Sequence, residues 1–187
     1  MISEKSTVET KDIGKNVQIG EYCVIRNNVK IGDNVIIHPH VIIDEGVIIE
    51  DNVEIFAGAL IGKEPKAPDI IARKLNFSRK ILIGRHCVIG PHSIIYYDVS
   101  IGQKCLLGDA VAIRENCKVG DRCILGRHVS LNYNVFIGDD SIIMTKSHIT
   151  GNTHIGKKVF ISAGVCMAND NNFGDMGYDE NNIRGPV

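Results

Sequence analysis

The sequence has no tryptophan, few other aromatic residues and no long hydrophobic run. Phenylalanine and tyrosine make up 5% of the 187 residues, so large aromatic side chains cannot dominate the core. No apolar stretch approaches the roughly 20 residues that span a bilayer, and the first ten residues are polar. The formal net charge of −1 gives no reason to expect nucleic acid or a membrane as a partner. These absences predict a single cytoplasmic domain with an unusual core.

An aliphatic residue recurs every six positions from Ile13 to Ile61 and again from Ile83 to Met167, in 24 hexads. Neither an α-helix nor an ordinary strand keeps a six-residue phase. Glycine directly follows the aliphatic residue in 12 hexads, and a small or β-branched residue such as Val17 stands four positions after it. The period predicts an all-β fold, a parallel β-helix in which three hexads, each with one short strand, form a triangular coil. The 24 hexads make about eight coils.

Five of the six cysteines occupy the small inward position of a hexad, where a free thiol packs as a compact hydrophobic group. Their spacings match no zinc motif, and a cytosolic chain disfavours disulfides. Cys166 lies one position later and is expected to face outward. All six are predicted to be non-catalytic. The five inward cysteines are Cys23, Cys87, Cys105, Cys117 and Cys123.

Residues 62–82 break the phase and predict one long loop extruded after the third coil. Basic residues outnumber acidic ones there, and Arg73 and Lys74 suit phosphate groups. An equal alternative is a solvated loop that packs on a neighbouring subunit. We therefore predict a β-helix over 1–167, with loop 62–82 extruded, and an irregular polar tail over 168–187. Because Val187 follows no closing element, we expect a partner or further coils to cover the last coil.

Stacked coils align outward side chains that are three hexads apart, and one corner column is rich in Asn and Asp. Asn and Asp favour tight turns through their own backbone hydrogen bonds, which would explain the column without any function. The segment 131–135 is the most unusual corner and the strongest functional candidate. His148 lies in the next coil, and imidazole is the usual general base for acyl transfer. The column contains Asp98, Asn116, Asn134, Asn152 and Asp170; beside it lie Tyr96, Arg114, Asn132 and Thr150, with Tyr97, Glu115 and Tyr133 between.

The hexads, the loop and the Asn-rich tail resemble the hexapeptide-repeat acyltransferases, whose β-helix is left-handed. Three segments sharpen the likeness toward N-acetyltransferases that act on nucleotide-linked amino sugars. They are Ile61-Gly62-Lys63-Glu64-Pro65-Lys66, Val129-Ser130-Leu131-Asn132-Tyr133-Asn134-Val135-Phe136-Ile137-Gly138 and Asn181-Asn182-Ile183-Arg184-Gly185-Pro186. The resemblance implies a homotrimer with acetyl-CoA bound in grooves between subunits and a sugar nucleotide as acceptor. It also implies acetyl transfer to the amine of that sugar.

Lipid-A acyltransferase relatives place a catalytic histidine in the corner that corresponds to Tyr133. Without it, the resemblance implies direct attack by a neutral amine, with Asn134 orienting the amine and backbone N–H groups stabilising the oxyanion. The zinc site of hexapeptide carbonic anhydrases needs two histidines five residues apart, and the pairs here are six apart, so no metal is predicted. The alternative function is a non-catalytic trimeric scaffold. We predict Asn134 and His148 as catalytic residues, and Tyr133, Asn132, Arg114, Arg73 and Lys74 as substrate-binding residues.

Overall fold

The computed structural model describes residues 1–66 and 74–169. Within them lie 24 short β-strands, labelled β1 to β24 in chain order. Their bounds are Thr7–Val8, Asp12–Ile13, Gln18–Ile19, Val24–Ile25, Lys30–Ile31, Ile36–Ile37, Ile42–Ile43, Val47–Ile49, Glu54–Ile55, Leu60–Lys63, Ile81–Ile83, Val88–Ile89, Ile94–Tyr96, Val99–Ile101, Leu106–Leu107, Ala112–Ile113, Cys117–Val119, Ile124–Leu125, Ser130–Leu131, Phe136–Ile137, Ile142–Ile143, His148–Ile149, His154–Ile155 and Phe160–Ile161.

Successive strands enter three parallel sheets in turn, and each sheet has eight strands. Sheet 1 contains β1 and every third strand to β22, sheet 2 runs from β2 to β23, and sheet 3 from β3 to β24. Within a sheet, a residue pairs with the residue three hexads later, as Val24 does with Ile42. Eight coils therefore stack along one axis, as the period predicted. One strand, β1, precedes the first predicted hexad, whereas Met167 belongs to no strand.

The aliphatic residue of each hexad fills the interior of the prism. Ile25, Ile43 and Ile61 are fully buried, and so is the small residue four positions later, as Val29 shows. The five inward cysteines are buried and Cys166 is exposed, as expected. Burial raises the pKa of the Cys117 thiol to about 12, which keeps it protonated and unreactive near neutral pH.

The corners of the prism require a backbone conformation that side chains disfavour. Nineteen described non-glycine residues have φ between 54° and 62°, and all stand three positions after an inward residue. This left-handed region costs an ordinary L-residue roughly 1–2 kcal/mol, and Asn and Asp tolerate it best. The Asn-rich column therefore meets the conformational demand of a corner, whatever else its side chains do.

The interruption of the repeat leaves the stack of coils unbroken. Ile94 pairs with Leu60, and Leu60 pairs with Ile42. A regular coil would place residue 78 opposite Leu60, and the step from 78 to 94 is not a multiple of six, which is why the phase is lost. The interruption runs from residue 64 to residue 80, between β10 and β11, and is shorter at both ends than the predicted 62–82.

Replacing Gly84 with alanine is expected to lower the free energy of unfolding by about 1–3 kcal/mol, because the new Cβ would overpack the stacked coils. That Cβ would lie 2.7 Å from the backbone carbonyl carbon of Gly102 in the next coil. Thermal unfolding should show a midpoint roughly 2–12 °C lower. Gly156→Ala is the control, since its Cβ would meet only Val159 Cγ2 at 4.0 Å. Equal losses in the two variants would contradict the steric explanation.

A search of the described residues for a helix long and apolar enough to cross a membrane finds none.

Candidate functional site

The three corners of the prism differ in the residue that directly follows the inward aliphatic one. At the corner from sheet 2 to sheet 3, this residue is glycine in seven of eight coils, and at the corner from sheet 3 to sheet 1 in four of eight. At the corner from sheet 1 to sheet 2 only Gly62 remains. The other seven coils place a side chain there, so this corner offers the most side-chain chemistry. The seven side chains are Glu9, Arg26, Asp44, Tyr96, Arg114, Asn132 and Thr150.

The predicted Asn column lies along this same edge. We call its described members, Asp98, Asn116, Asn134 and Asn152, the Asn corner. All four have φ between 55° and 61°. The Asn134 amide Nδ2 donates to Asn152 Oδ1 at 3.0 Å, which fixes the amide and leaves Asn134 Oδ1 without a donor among the described residues. Asn134 is exposed, so its carbonyl oxygen can accept a hydrogen bond from a ligand. Asp170, the last predicted member, lies outside the described residues.

The second half of the interruption, residues 74–80, is tied to the Asn corner; we call it the return segment. Asn116 Nδ2 donates to the carbonyl oxygen of Asn76 at 3.0 Å, and the backbone N–H of Ser78 donates to Asp98 Oδ2 at 2.9 Å. The Phe77 ring stacks on Tyr97, with centroids 6.3 Å apart. These contacts place the return segment beside the predicted site. The sequence did not predict this proximity, because the contacting residues lie far apart in the chain.

The basic character of the loop is smaller than its composition indicates. Arg79 pairs with Glu45 at 2.9 Å and with Glu64 at 3.1 Å, and these carboxylates raise its guanidinium pKa. Lys63 packs over the Tyr96 ring at 5.0 Å. Lys74 is exposed at the start of the return segment, whereas Arg73 lies outside the described residues. Of the two residues predicted to contact phosphate, only Lys74 can therefore be placed.

Arg114 is held by a buried carboxylate that the sequence did not single out. Its Nε and Nη2 atoms donate to the two carboxylate oxygens of Glu115, each at 3.2 Å, and the Glu115 side chain is fully buried. The guanidinium lies 5.7 Å from the Tyr96 ring centroid and 6.0 Å from that of Tyr133. Arg114 is thus clamped between two aromatic rings, with part of its surface still open for a ligand.

The segment predicted as the most unusual corner is stabilised from both sides. Asn132 Oδ1 accepts the backbone N–H of Tyr133 at 3.0 Å, so this side chain closes the turn. The Tyr133 ring covers Gly151 in the next coil, where a Cβ would lie 2.7 Å from Tyr133 Cζ. Glycine is therefore required at 151 by the position of the ring. Asn132, Tyr133, Asn134 and Arg114 form one contiguous surface.

His148 lies on the sheet 1 side of the corner, one coil beyond Asn132. Its Nδ1 is 2.8 Å from Ser130 Oγ, on the paired residue of β19. If Nδ1 carries the hydrogen and donates it to Ser130, Nε2 is free to accept a proton. The exposed Cys166, in the next coil, forms an isolated parallel backbone β-bridge with His148. Ser130 was missed from the sequence, although its spacing of one full coil from His148 was a usable signal.

Tyr97 is a buried neighbour of the site with an unusual phenol. Its hydroxyl donates to the carbonyl oxygen of Glu45 at 3.1 Å, and burial, helped by nearby carboxylates, raises its pKa to about 12. Among residues 1–66 and 74–169, no three His, Cys, Asp or Glu side chains come together as metal ligands do.

As the pH rises above 10, the free energy of unfolding is expected to fall, because the stabilising contribution of Tyr97 is lost. The unfolded phenol ionises near 10 and the folded one near 12, so the unfolded state loses its proton first. The stability that Tyr97 contributes is complete below pH 10 and is lost between pH 10 and 12. Denaturant titrations across this range measure the slope. Tyr97→Phe should flatten that slope, and an unchanged slope would contradict the assignment.

Two family models match the sequence. The model described as bacterial transferase hexapeptide (six repeats) matches residues 12–45 and 30–63, and the model described as hexapeptide repeat of succinyl-transferase matches residues 80–114. A sequence comparison with curated proteins finds no match.

Solved structures of UDP-N-acetylglucosamine acyltransferases are similar to this chain. The enzyme from Francisella novicida superposes with a TM-score of 0.81 and 30% identity, over 89% of this chain and 62% of that one. The enzyme from Bacteroides fragilis 9343 gives 0.82 and 28%, over 91% of this chain and 68% of that one. The present chain thus spans about two thirds of the length of these two structures. Together, the repeat matches, the eight parallel coils and these neighbours show that the chain is built of hexapeptide repeats and folds as a left-handed parallel β-helix, as its sequence predicted.

Proposed function

We propose that this chain is an acyltransferase that moves an acyl group from a thioester donor to a nucleotide-linked sugar. The observation that carries the proposal is the surface formed by Arg114, Tyr133 and Asn134, at the corner with the fewest glycines, with His148 beside Ser130 on the adjoining sheet 1. The similarity to UDP-N-acetylglucosamine acyltransferases supports the same class of acceptor. In finer detail, we propose acetyl-CoA as donor and an amine of the sugar as nucleophile.

The reaction requires one bond to form and one to break. The amine nitrogen attacks the thioester carbonyl carbon, a C–N bond forms, and the C–S bond breaks as the thiol leaves. Asn134 Oδ1 accepts a hydrogen bond from the amine and directs its lone pair at the carbonyl. We assign backbone N–H groups of this corner to the developing oxyanion; that of Gly151 donates to no acceptor among the described residues. His148 Nε2 takes the proton that the amine loses and passes it to the departing thiolate, which leaves as the thiol, with Ser130 orienting the ring.

We further propose a homotrimer. Outward apolar side chains on sheet 3 support an interface between subunits, since Leu106, Ile124 and Phe160 are 43%, 37% and 64% exposed in the single chain. Assembly alone would not separate an enzyme from a scaffold, because both are expected to form trimers.

The test is thiol release from acetyl-CoA in the presence of UDP-linked amino sugars, with UDP-N-acetylglucosamine as the hydroxyl acceptor. Turnover with an amino sugar supports N-acetyl transfer. Turnover only with the hydroxyl acceptor would show that the nucleophile is an alcohol and not an amine. Longer acyl-CoA donors show whether acetyl is the preferred group. No turnover together with no binding of coenzyme A would reject the enzyme and leave the scaffold.

Asn134→Gly should lower turnover about 100-fold while leaving the thermal midpoint nearly unchanged, because glycine keeps the positive φ and removes only the amide. Asn116→Gly is the matched control, since its amide binds Asn76 rather than facing the proposed acceptor. Equal activity losses in both variants would contradict a specific role for the Asn134 amide, and full activity in both would show that the Asn corner acts through its conformation alone.

A further inference from the structure

A cavity adjoins the Asn corner on its sheet 2 side. It has a volume of about 280 Å³ and lies between the return segment and the outer face of sheet 2. Ligand pockets for whole drug-sized molecules span roughly 300–1,000 Å³, so this groove fits part of a ligand rather than all of it. We call it the sheet 2 groove; its argued members are Ser78, Lys80, Leu82, Asp98, Ser100 and Lys118.

We propose that the sheet 2 groove binds the diphosphate of the nucleotide sugar. The identity of the ligand rests on the proposed function, whereas the groove and its charge do not. Lys80 and Lys118 line the groove together with two hydroxyl side chains, those of Ser78 and Ser100. This is the donor set that a pair of phosphate groups requires.

The groove carries more positive than negative charge. Neither Lys80 nor Lys118 forms an ion pair within residues 1–66 and 74–169, whereas Arg79, Arg114 and Arg122 all do. Asp98 is the only acidic residue in the lining, and its carboxylate already accepts the Ser78 N–H at 2.9 Å. The groove therefore presents two cations to an incoming anion.

The position of both lysines is fixed by the fold. Lys118 stands on β17 in register with Ser100 on β14, which pairs in turn with Leu82 on β11. Lys80 closes the return segment, where its carbonyl oxygen accepts the backbone N–H of Asp98 at 2.9 Å. Both lysine backbones are thus tied to strands or corners of the β-helix and need no rearrangement to face the groove.

The distance to the proposed reaction centre suits the geometry of a nucleotide sugar. Lys118 on β17 pairs with Phe136 on β20, and Asn134 precedes Phe136 by two positions, so Lys118 lies one coil, about 4.8 Å, and two residues along the chain from Asn134. A sugar held at the Asn corner therefore has its anomeric phosphates within reach of Lys118. The exposed Leu82 and Ile48 side chains form an apolar floor beneath them.

The experiment measures the binding of UDP and of coenzyme A by calorimetry, since both carry a diphosphate. The groove variant is the double substitution Lys80→Gln with Lys118→Gln. The matched control is Lys104→Gln with Lys158→Gln, two exposed lysines at the corner between sheets 2 and 3. We expect the UDP dissociation constant to rise at least tenfold in the groove variant and to stay within twofold in the control, with coenzyme A unaffected by both.

Three outcomes would overturn the proposal: no binding of UDP by the unaltered chain, equal UDP affinity in the two variants, or loss of coenzyme A affinity instead of UDP affinity. The measurement needs no turnover, so it separates the two proposals. Acyl transfer without lysine-dependent UDP binding rejects the groove alone. Lysine-dependent UDP binding in a chain that transfers no acyl group rejects the proposed function alone.

Discussion

His148→Gln is expected to lower kcat about 100- to 10,000-fold, the range that a positioned general base contributes, with little change in the KM for either substrate. Glutamine keeps a hydrogen-bonding side chain but cannot accept the amine proton at neutral pH. The change would act on the proton transfer rather than on binding, because the substrate contacts proposed for Arg114, Tyr133 and Asn134 remain. Steady-state thiol release at saturating substrate measures it.

His154→Gln is the control. His154 faces outward from sheet 2, and its ring packs on that of Phe136, with centroids 4.4 Å apart, rather than beside Ser130. Ser130→Ala should fall between the two, because the imidazole remains and only its orientation is lost. If His148→Gln keeps full kcat, the amine attacks without a protein base. That result would support direct attack by a neutral amine oriented by Asn134, the mechanism that the resemblance implies when position 133 is not a histidine.

Glu115→Ala is expected to lower the free energy of unfolding by about 3 kcal/mol. Removing one partner of a buried ion pair costs roughly 3–5 kcal/mol, and the lower end applies because Arg114 is one-third exposed. For a chain of this size, the thermal midpoint should fall by about 6–12 °C. The KM of the acceptor should also rise, since Arg114 would no longer be held between Tyr96 and Tyr133.

Glu21→Ala provides the comparison, because its pair with Lys5 is 3.4 Å long with both side chains more than half exposed. Such a surface pair is worth about 0.2–1 kcal/mol. A double-mutant cycle with Arg114→Met isolates the coupling of Glu115 to Arg114 from other effects of the truncation. A loss at Glu115 no larger than the loss at Glu21 would contradict the importance of the buried carboxylate.

The sequence was sufficient for the fold because a six-residue period assigns every position to the interior, a corner or the outer face. The inward cysteines and the exposed Cys166 followed from phase alone. The polar character of one corner was also readable, since Arg114 and Asn132 stand one full coil apart and Asn134 lies in the same hexad as Asn132.

The candidate site was only partly predictable, because its key contacts join residues that no period relates. Asn76 contacts Asn116, and Arg79 contacts Glu45, although the residues of each pair lie far apart in the sequence. The sequence therefore could predict neither the position of the loop nor the ion pairs that neutralise part of its positive charge. The same corner position faces solvent at Lys15 and Asn27 but is buried at Tyr97, one coil before Glu115. The period therefore could not predict the burial of Glu115, which depends on the side chains packed around it. The homotrimer and the cytoplasmic location remain predictions.

The strict rotation of strands through three sheets determines which changes in chain length the molecule can absorb. Loss of one hexad between Glu45 and the loop would turn every later coil by one side of the prism relative to the earlier coils, so that Arg79 and Tyr97 would no longer meet Glu45. Loss of three hexads would shorten the stack by a single coil, about 4.8 Å, and leave each face aligned. Insertions and deletions in this protein are therefore expected to be inherited as whole coils, with the number of coils free to drift while the edge that carries the Asn corner stays in place.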